Sequence, residues 1–372
     1  MDLPSESHFF GIYDTTAALW DQIVFDAPYY LPVKSSGNDR NDGAPSNGTT
    51  FYRFQGAGWA EETYDDTMHP GDDGAPAGYD TVSANGNAKN ILTVGAVNDA
   101  VSGGVRSLAN ATMSSFSGWG PTDDGRVKPD VVGNGVALFS SGSANDSAYS
   151  TLSGTSMSAP NVTGSATLLQ EYYRNYTGEG MAASTIKALL IHTADDLGNP
   201  GPDYSFGWGL VNTYAGMAQL TAAEIQPSEP FMTYMDLADQ ATYSVNVTAA
   251  GGMPLKATLV WTDPPGAATD PEEIDDPTIK LVNDLDLEIL PAMARGVEFL
   301  PWVLDPDNPA DPATTGDNIR DNVEQVIVDS PVGGDTYTVR VSHKGVLLDT
   351  DPQAFSLIIS GMPVVLFENG FD

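Results

Sequence analysis

The sequence predicts an α/β unit built on a parallel sheet, followed by an all-β sandwich. Three observations carry that reading: a continuous apolar run over residues 91–97, amphipathic helical patterns after residue 156, and a change to alternation beyond Gln226. A strand covered on both faces reads as an unbroken apolar run, a half-buried one alternates, and helices repeat at three to four residues.

In chain order, a Gly- and Asp-rich stretch between Asn38 and Asn90 is longer than an ordinary connection and reads as a surface excursion. Its carboxylates Asp65, Asp66, Asp72 and Asp73 suit a solvated loop, with a calcium site as the alternative. The run 91–97 is the buried strand. Val131-Val132-Gly133-Asn134-Gly135 follows, and its glycines are expected to loosen the region around them. Next comes Leu152-Ser153-Gly154-Thr155-Ser156-Met157-Ser158-Ala159-Pro160, then an apolar helical pattern from Val162 through Leu168 and Leu169 to Tyr173. Pro160 is expected in the first helical turn, where a missing N–H costs nothing. A second helix is expected over 182–193, with Ile186, Leu189, Leu190 and Thr193 on one face. Beyond it, residues 243–248 and 336–342 alternate, and 255–261 and 355–359 are further strands separated by Pro-, Asp- and Gly-rich turns.

Ser156 is the chemically informative residue. It stands at a helix start, where unpaired backbone N–H groups and the positive end of the helix dipole converge. That placement suits a hydroxyl that attacks a carbonyl and leaves an oxyanion beside backbone donors. A plain helix cap is the other meaning of a bare Gly-Thr-Ser.

The longer string resembles the nucleophile motif of subtilisin-like serine peptidases, and four more blocks agree in kind and order. Lys34-Ser35-Ser36-Gly37-Asn38-Asp39 resembles the block carrying the oxyanion-hole asparagine, and Asn90-Ile91-Leu92-Thr93-Val94-Gly95-Ala96 the buried strand after it. Residues 116–130, Phe-Ser-Gly-Trp-Gly-Pro-Thr-Asp-Asp-Gly-Arg-Val-Lys-Pro-Asp, match another block, and residues 204–212 match the closing block of the catalytic domain. An asparagine at 38 favours subtilisins over the sedolisin branch, which places aspartate there. The resemblance implies Ser156 as nucleophile and Asn38 in the oxyanion hole. Ser35, Ser36, Gly37, Gly154 and Thr155 would line the bound protein or peptide substrate.

The family's general base and its orienting aspartate have no counterpart. Neither a D-[ST]-G nor an H-G-T-x-V-x-G string occurs, and the four histidines, His8, His69, His192 and His343, lie in unrelated surroundings. Residues 5–30 resemble the helix before the oxyanion strand, so the Asp- and His-bearing segments would lie upstream of Met1. The expectation is a C-terminal fragment of a peptidase, inactive alone, whose partner is the missing N-terminal segment; a decayed homologue is the alternative.

Residues 228–361 resemble the jelly-roll domain that follows the catalytic domain in alkaline, oxidation-resistant subtilases, chiefly through 255–265, 281–290 and 318–327. The division expected is a partial peptidase domain over 1–225, a jelly-roll over 228–361 and a tail over 362–372. In such relatives this domain binds structural calcium. The resemblance implies Asn283, Asp284, Asp286, Asp317, Asp321, Asn322 and Glu324 as candidate ligands, with hydrogen-bonded turn caps as the other reading of each. A non-catalytic, calcium-dependent binding module is the alternative function, with Trp302 as the one aromatic residue available to it.

Composition sets the partner class. Fifty acidic residues oppose fifteen basic ones, a net charge of -35, which disfavours nucleic acid and anionic membranes as partners. Cysteine is absent, so neither disulfides nor thiol chemistry operate. No apolar run of about eighteen residues occurs to span a membrane. Acidic composition and Asn-x-Ser/Thr sequons at Asn47, Asn110, Asn145, Asn161, Asn175 and Asn246 accord with secretion, although the sequon inside the nucleophile helix shows how readily chance makes one.

Overall fold

The computed structural model describes residues 9–41, 46–55, 58–65, 78–270, 273, 275–293 and 296–364. His8, His69, Asp66, Asp72, Asp73 and most of the expected tail lie outside the described residues.

Helix α1 (Thr15–Asp26) starts where Asp14 accepts the Ala17 N–H at 2.8 Å. Strands β1 (Val33–Ser35), β2 (Leu92–Val97) and β3 (Val131–Asn134) form a parallel sheet in the order β1-β2-β3. Every residue of β2 is buried, as the apolar run 91–97 requires. Helices α2 (Thr155–Thr177), α3 (Ala183–His192) and α4 (Thr213–Ile225) follow. Gly178, with φ at +81°, closes α2 in the left-handed conformation that suits glycine.

Seven strands build the two main sheets of the C-terminal part: β4 (Met232–Leu237), β5 (Tyr243–Thr248), β6 (Leu255–Trp261), β7 (Leu285–Pro291), β8 (Val323–Val328), β9 (Thr336–His343) and β10 (Gln353–Ser360). They form two antiparallel sheets, ordered β4-β10-β6-β8 and β5-β9-β7. Their inner faces share one core containing Leu255, Trp261, Leu287, Val339, Phe355 and Leu357. Strand β9 alternates buried and half-buried residues, because its outer face meets water. Strands β6 and β10 are buried on both faces because α3 covers the outer side of their sheet. All ten residues of α3 are buried, so the helix is covered all round and not only on the one face read from the sequence.

Charged groups brace the interior. The fully buried Asp130 receives Lys128 Nζ at 2.7 Å, Lys187 Nζ at 2.9 Å and the Thr93 N–H at 2.6 Å. Burial alone would raise its pKa, but the two lysines hold it below the ordinary carboxylate range. Lys187 also donates to the carbonyls of Lys89 and Ile91, both at 2.9 Å. Between the α/β part and the sandwich, Lys89 lies 3.2 Å from Asp21 and 3.4 Å from Asp263. Asn90 binds both Asp263 and Asn322.

Lys187→Met would leave two buried carbonyls without donors and Asp130 with one lysine. Breaking a buried pair from one side costs about 3–5 kcal/mol, so the urea midpoint should fall accordingly; an unchanged midpoint would show that the lysine contributes nothing.

Candidate active site

Ser156 is the second residue of α2 and is exposed. The chain enters through Gly154, whose φ of +150° is a conformation side chains rarely adopt. Pro160 lies in the second turn rather than the first. Its ring therefore removes the N–H that would have met the Ser156 carbonyl, a correction to the sequence reading.

Asn38 follows β1 and reaches across to this helix start. Its Oδ1 accepts the Thr155 N–H at 2.8 Å and lies 2.9 Å from the Thr155 hydroxyl. That hydroxyl is also 3.1 Å from the Gly37 carbonyl and accepts the Gly37 N–H at 3.3 Å. Because the Thr155 N–H demands an acceptor, the amide oxygen must face it and Nδ2 must point away. Neither Asn38 Nδ2 nor the Ser156 N–H has a hydrogen-bond partner among the described residues. Two donors thus stand unspent beside an exposed hydroxyl, which is what stabilising a tetrahedral oxyanion requires.

Of the residues expected to line substrate, Gly37, Gly154 and Thr155 gather at this helix start. The Ser36 side chain does not: it is fully buried, 3.5 Å from the Ser117 hydroxyl. Ser35 is half-buried at the end of β1, and Lys34 Nζ caps its carbonyl at 2.9 Å. Burial lowers the Lys34 pKa. Gly118 is a packing requirement, since a Cβ there would stand 2.5 Å from the Thr81 carbonyl. Gly133 and Gly135 do not loosen the region. Their Cβ atoms would strike Val162 at 2.8 Å and Ala96 at 2.5 Å, so these glycines let α2 and the sheet approach closely.

Neither described histidine is offered to Ser156. His192 is buried, with Nδ1 2.9 Å from the Thr258 hydroxyl and Nε2 2.8 Å from that of Ser360. Burial, then the Lys256 charge, drives its pKa well below the ordinary value, so it stays neutral and structural. His343 Nε2 accepts the Gln240 N–H at 2.8 Å.

The seven residues expected to hold calcium do not form one cluster. Asn283 Oδ1 accepts the Leu348 N–H, Asp321 accepts from Val127 and Asn318, and the Asn322 amide donates to Asn90 and the Trp261 carbonyl. Asp284, Asp286 and Asp317 surround Lys344 Nζ instead. Trp302 packs against Gly201 rather than facing an open cleft.

Sequence reasoning passed over a different carboxylate trio. Asp80, Asp123 and Asp275 each offer an oxygen within 4.8 Å of the others. They are scattered along the chain, so no local string betrays them. Gly11, with φ at +64°, makes room: a Cβ there would fall 1.8 Å from Asp123 Oδ1.

The subtilase family model matches residues 17–209, just over half of the chain. The chain belongs to the subtilase family. The serine protease/ABC transporter B family protein tagA of Dictyostelium discoideum is 29% identical over 280 residues, covering 66% of this chain and 15% of that protein. Serine protease AprX of Bacillus subtilis is 32% identical over 144 residues, 36% of this chain and 30% of that one. C5a peptidase of Streptococcus pyogenes is 51% identical over 61 residues, 16% of this chain and 5% of that protein. The chain thus spans less than a third of the length of these relatives. Among solved structures, the S218A protease domain of PatA gives a TM-score of 0.39 at 17% identity, covering 59% of this chain and 57% of that one. The Clostridium perfringens CspB protease gives 0.34 at 29% identity, covering 39% and 30%.

Two outcomes follow from this geometry. His192→Ala should cost about 1–3 kcal/mol in urea unfolding, because the buried Thr258 hydroxyl and the half-buried Ser360 hydroxyl each lose a bond; an unchanged midpoint would show that the ring contributes no such bonds. Asp123 supplies the pH dependence. Its pKa is pushed up to about 7, by burial first and then by Asp275 and Asp124. The folded state keeps this proton from about pH 4 to pH 7, where the unfolded chain has lost it, so stability falls as pH rises across that window. The melting-temperature advantage of Asp123→Asn over the wild type should widen from about pH 4 to about pH 8. A constant difference would show that Asp123 is ionised throughout.

Proposed function

We propose that this chain carries the nucleophile and oxyanion half of a subtilisin-type serine endopeptidase acting on proteins or peptides. The single observation behind this is the pair of unspent donors, Asn38 Nδ2 and the Ser156 N–H, beside the exposed Ser156 hydroxyl. Ser156 Oγ attacks the scissile carbonyl and gives its proton to a histidine base. The two donors hold the oxyanion while the amine leaves with that proton, and water then releases the acyl group. Removing one oxyanion donor lowers such a rate by roughly 10²–10³.

The base and its orienting aspartate come, in this proposal, from the enzyme's N-terminal segment, and these 372 residues alone are inactive. Supporting this, both described histidines are engaged elsewhere. The outer edge of β1 has no neighbouring strand among the described residues, and α1 leaves Leu19 and Ile23, one turn apart, exposed. We take residues 1–225 as the peptidase part, 228–361 as a jelly-roll of the alkaline subtilase type, 362–372 as a tail, and the enzyme as extracellular. The acidic, cysteine-free composition accords with that location, and no helix among the described residues is long and apolar enough to cross a membrane. A calcium-dependent, non-catalytic module is less well supported, because the carboxylates it would use surround Lys344.

Fluorophosphonate labelling of Ser156 tests the reading. The chain alone should not label; enzyme containing the N-terminal segment should label at Ser156, more slowly after Asn38→Ala. Labelling of the chain alone that Ser156→Ala abolishes would place a base within these residues. Labelling at another serine would discard the assignment.

A further inference from the structure

Asp284 and Asp286 stand at the start of β7 and share a face. Asp317 follows the short strand Thr314–Thr315, which pairs with Trp302–Val303. All three carboxylates meet Lys344 Nζ: it lies 3.4 Å from Asp284, 2.6 Å from Asp286 and in direct contact with Asp317. Lys344 immediately follows β9, and its backbone N–H bonds the Asp284 carbonyl at 2.9 Å, fixing where the side chain starts. An ammonium has three N–H donors, and here it meets one oxygen from each of three acids.

A fourth carboxyl lies on the opposite sheet. Glu324 on β8 is fully buried; its Oε2 accepts the Leu287 N–H at 2.6 Å, and its Oε1 has no partner among the described residues. Asp284 Oδ1 is buried without a partner there as well. The Leu287 N–H that Glu324 accepts directly follows Asp286 in β7.

We infer that Lys344 is a built-in cation, whose ammonium fills the carboxylate pocket that family resemblance assigns to calcium, so that the pocket takes no divalent ion. Calcium takes six to eight oxygens. Asn283, Asp321 and Asn322 are committed to other hydrogen bonds, and the remaining acids already face a positive charge. Removing that charge converts the pocket. Asp284, Asp286 and Asp317 would be left without their shared counter-charge, beside an open cavity of about 230 Å³ lined in part by Asp286, Asp317 and Ser342. A water occupies about 30 Å³, so the cavity admits an ion with part of its hydration shell.

Terbium binding to the full chain tests this, because Trp302 pairs with Thr315, two residues before Asp317, and can sensitise emission from an ion in the pocket. Lys344→Met should gain one sensitised terbium ion that the wild type and Lys344→Arg lack, and adding Asp317→Asn should abolish the gain. In EDTA, Lys344→Met should melt a few degrees below the wild type, and calcium should restore it by more than it shifts the wild type. The inference is overturned if Lys344→Met gains no ion and melts like the wild type. It is also overturned if the wild type binds a sensitised ion that Asp317→Asn removes. That second comparison needs only the wild type and Asp317→Asn, so it decides the matter even if Lys344→Met does not fold.

Discussion

Asp130, held between Lys128 and Lys187, is the contact on which the geometry around Ser156 depends. Its carboxylate takes the Thr93 N–H from β2, and its own N–H bonds the Thr93 carbonyl, which sets the register where β3 begins beside β2. Three residues on, Gly133 brings β3 close enough to α2 for a Cβ to clash with Val162 and Ser158. Ser158 Oγ in turn donates to the Gly95 carbonyl at 2.7 Å, fixing the first turn of α2 to β2. The position of Ser156 is therefore inherited from the sheet through buried, directional bonds rather than through apolar contact alone. Apolar packing tolerates small shifts; a doubly paired carboxylate with a backbone bond on each side does not.

The sandwich contributes to the same rigidity. Helix α3 lies between the two parts, with Ser184 and Thr185 bonded to Ser356 and His192 bonded to Thr258 and Ser360. Lys187, on the same helix, reaches the opposite way to Asp130. The loop before β3 is also held from the sandwich side, where Asp321 accepts the Val127 N–H and Arg320 contacts the Asp124 carbonyl. Most of these polar partners are buried, so separating the two parts would break their bonds across the contact with little to replace them. The C-terminal strands act as a brace for the segment that seats the nucleophile.

What could be read from the sequence was whatever sits in contiguous strings. Gly154-Thr155-Ser156 and Gly37-Asn38 announce themselves because a backbone donor and a left-handed glycine need neighbours in sequence, and the buried β2 and α3 show as apolar runs. Pro160 was misplaced by a turn because the start of α2 is fixed by Asn38, a residue from a distant loop. The carboxylates of the sandwich were visible, but Lys344 was not, since it reaches Asp286 across 58 residues of chain. The same holds for Asp80, Asp123 and Asp275, whose proximity exists only after folding. Charge clusters are tertiary objects, and a one-dimensional pattern carries the acids without the cation that answers them.

The two unspent donors beside Ser156 are organised locally. Asn38 is oriented by the Thr155 N–H and hydroxyl, both part of the helix start itself, so its free amide is aimed before any substrate arrives. The Ser156 N–H is aimed by the helix, because the first backbone donors of any helix have no partner within it. Nothing in this pair relies on a histidine. The two donors are preorganised by groups within residues 37–156, beside an exposed hydroxyl. Electrostatic preorganisation of this kind carries much of the rate enhancement in acyl transfer, so donors aimed in advance are the costly part of such a geometry.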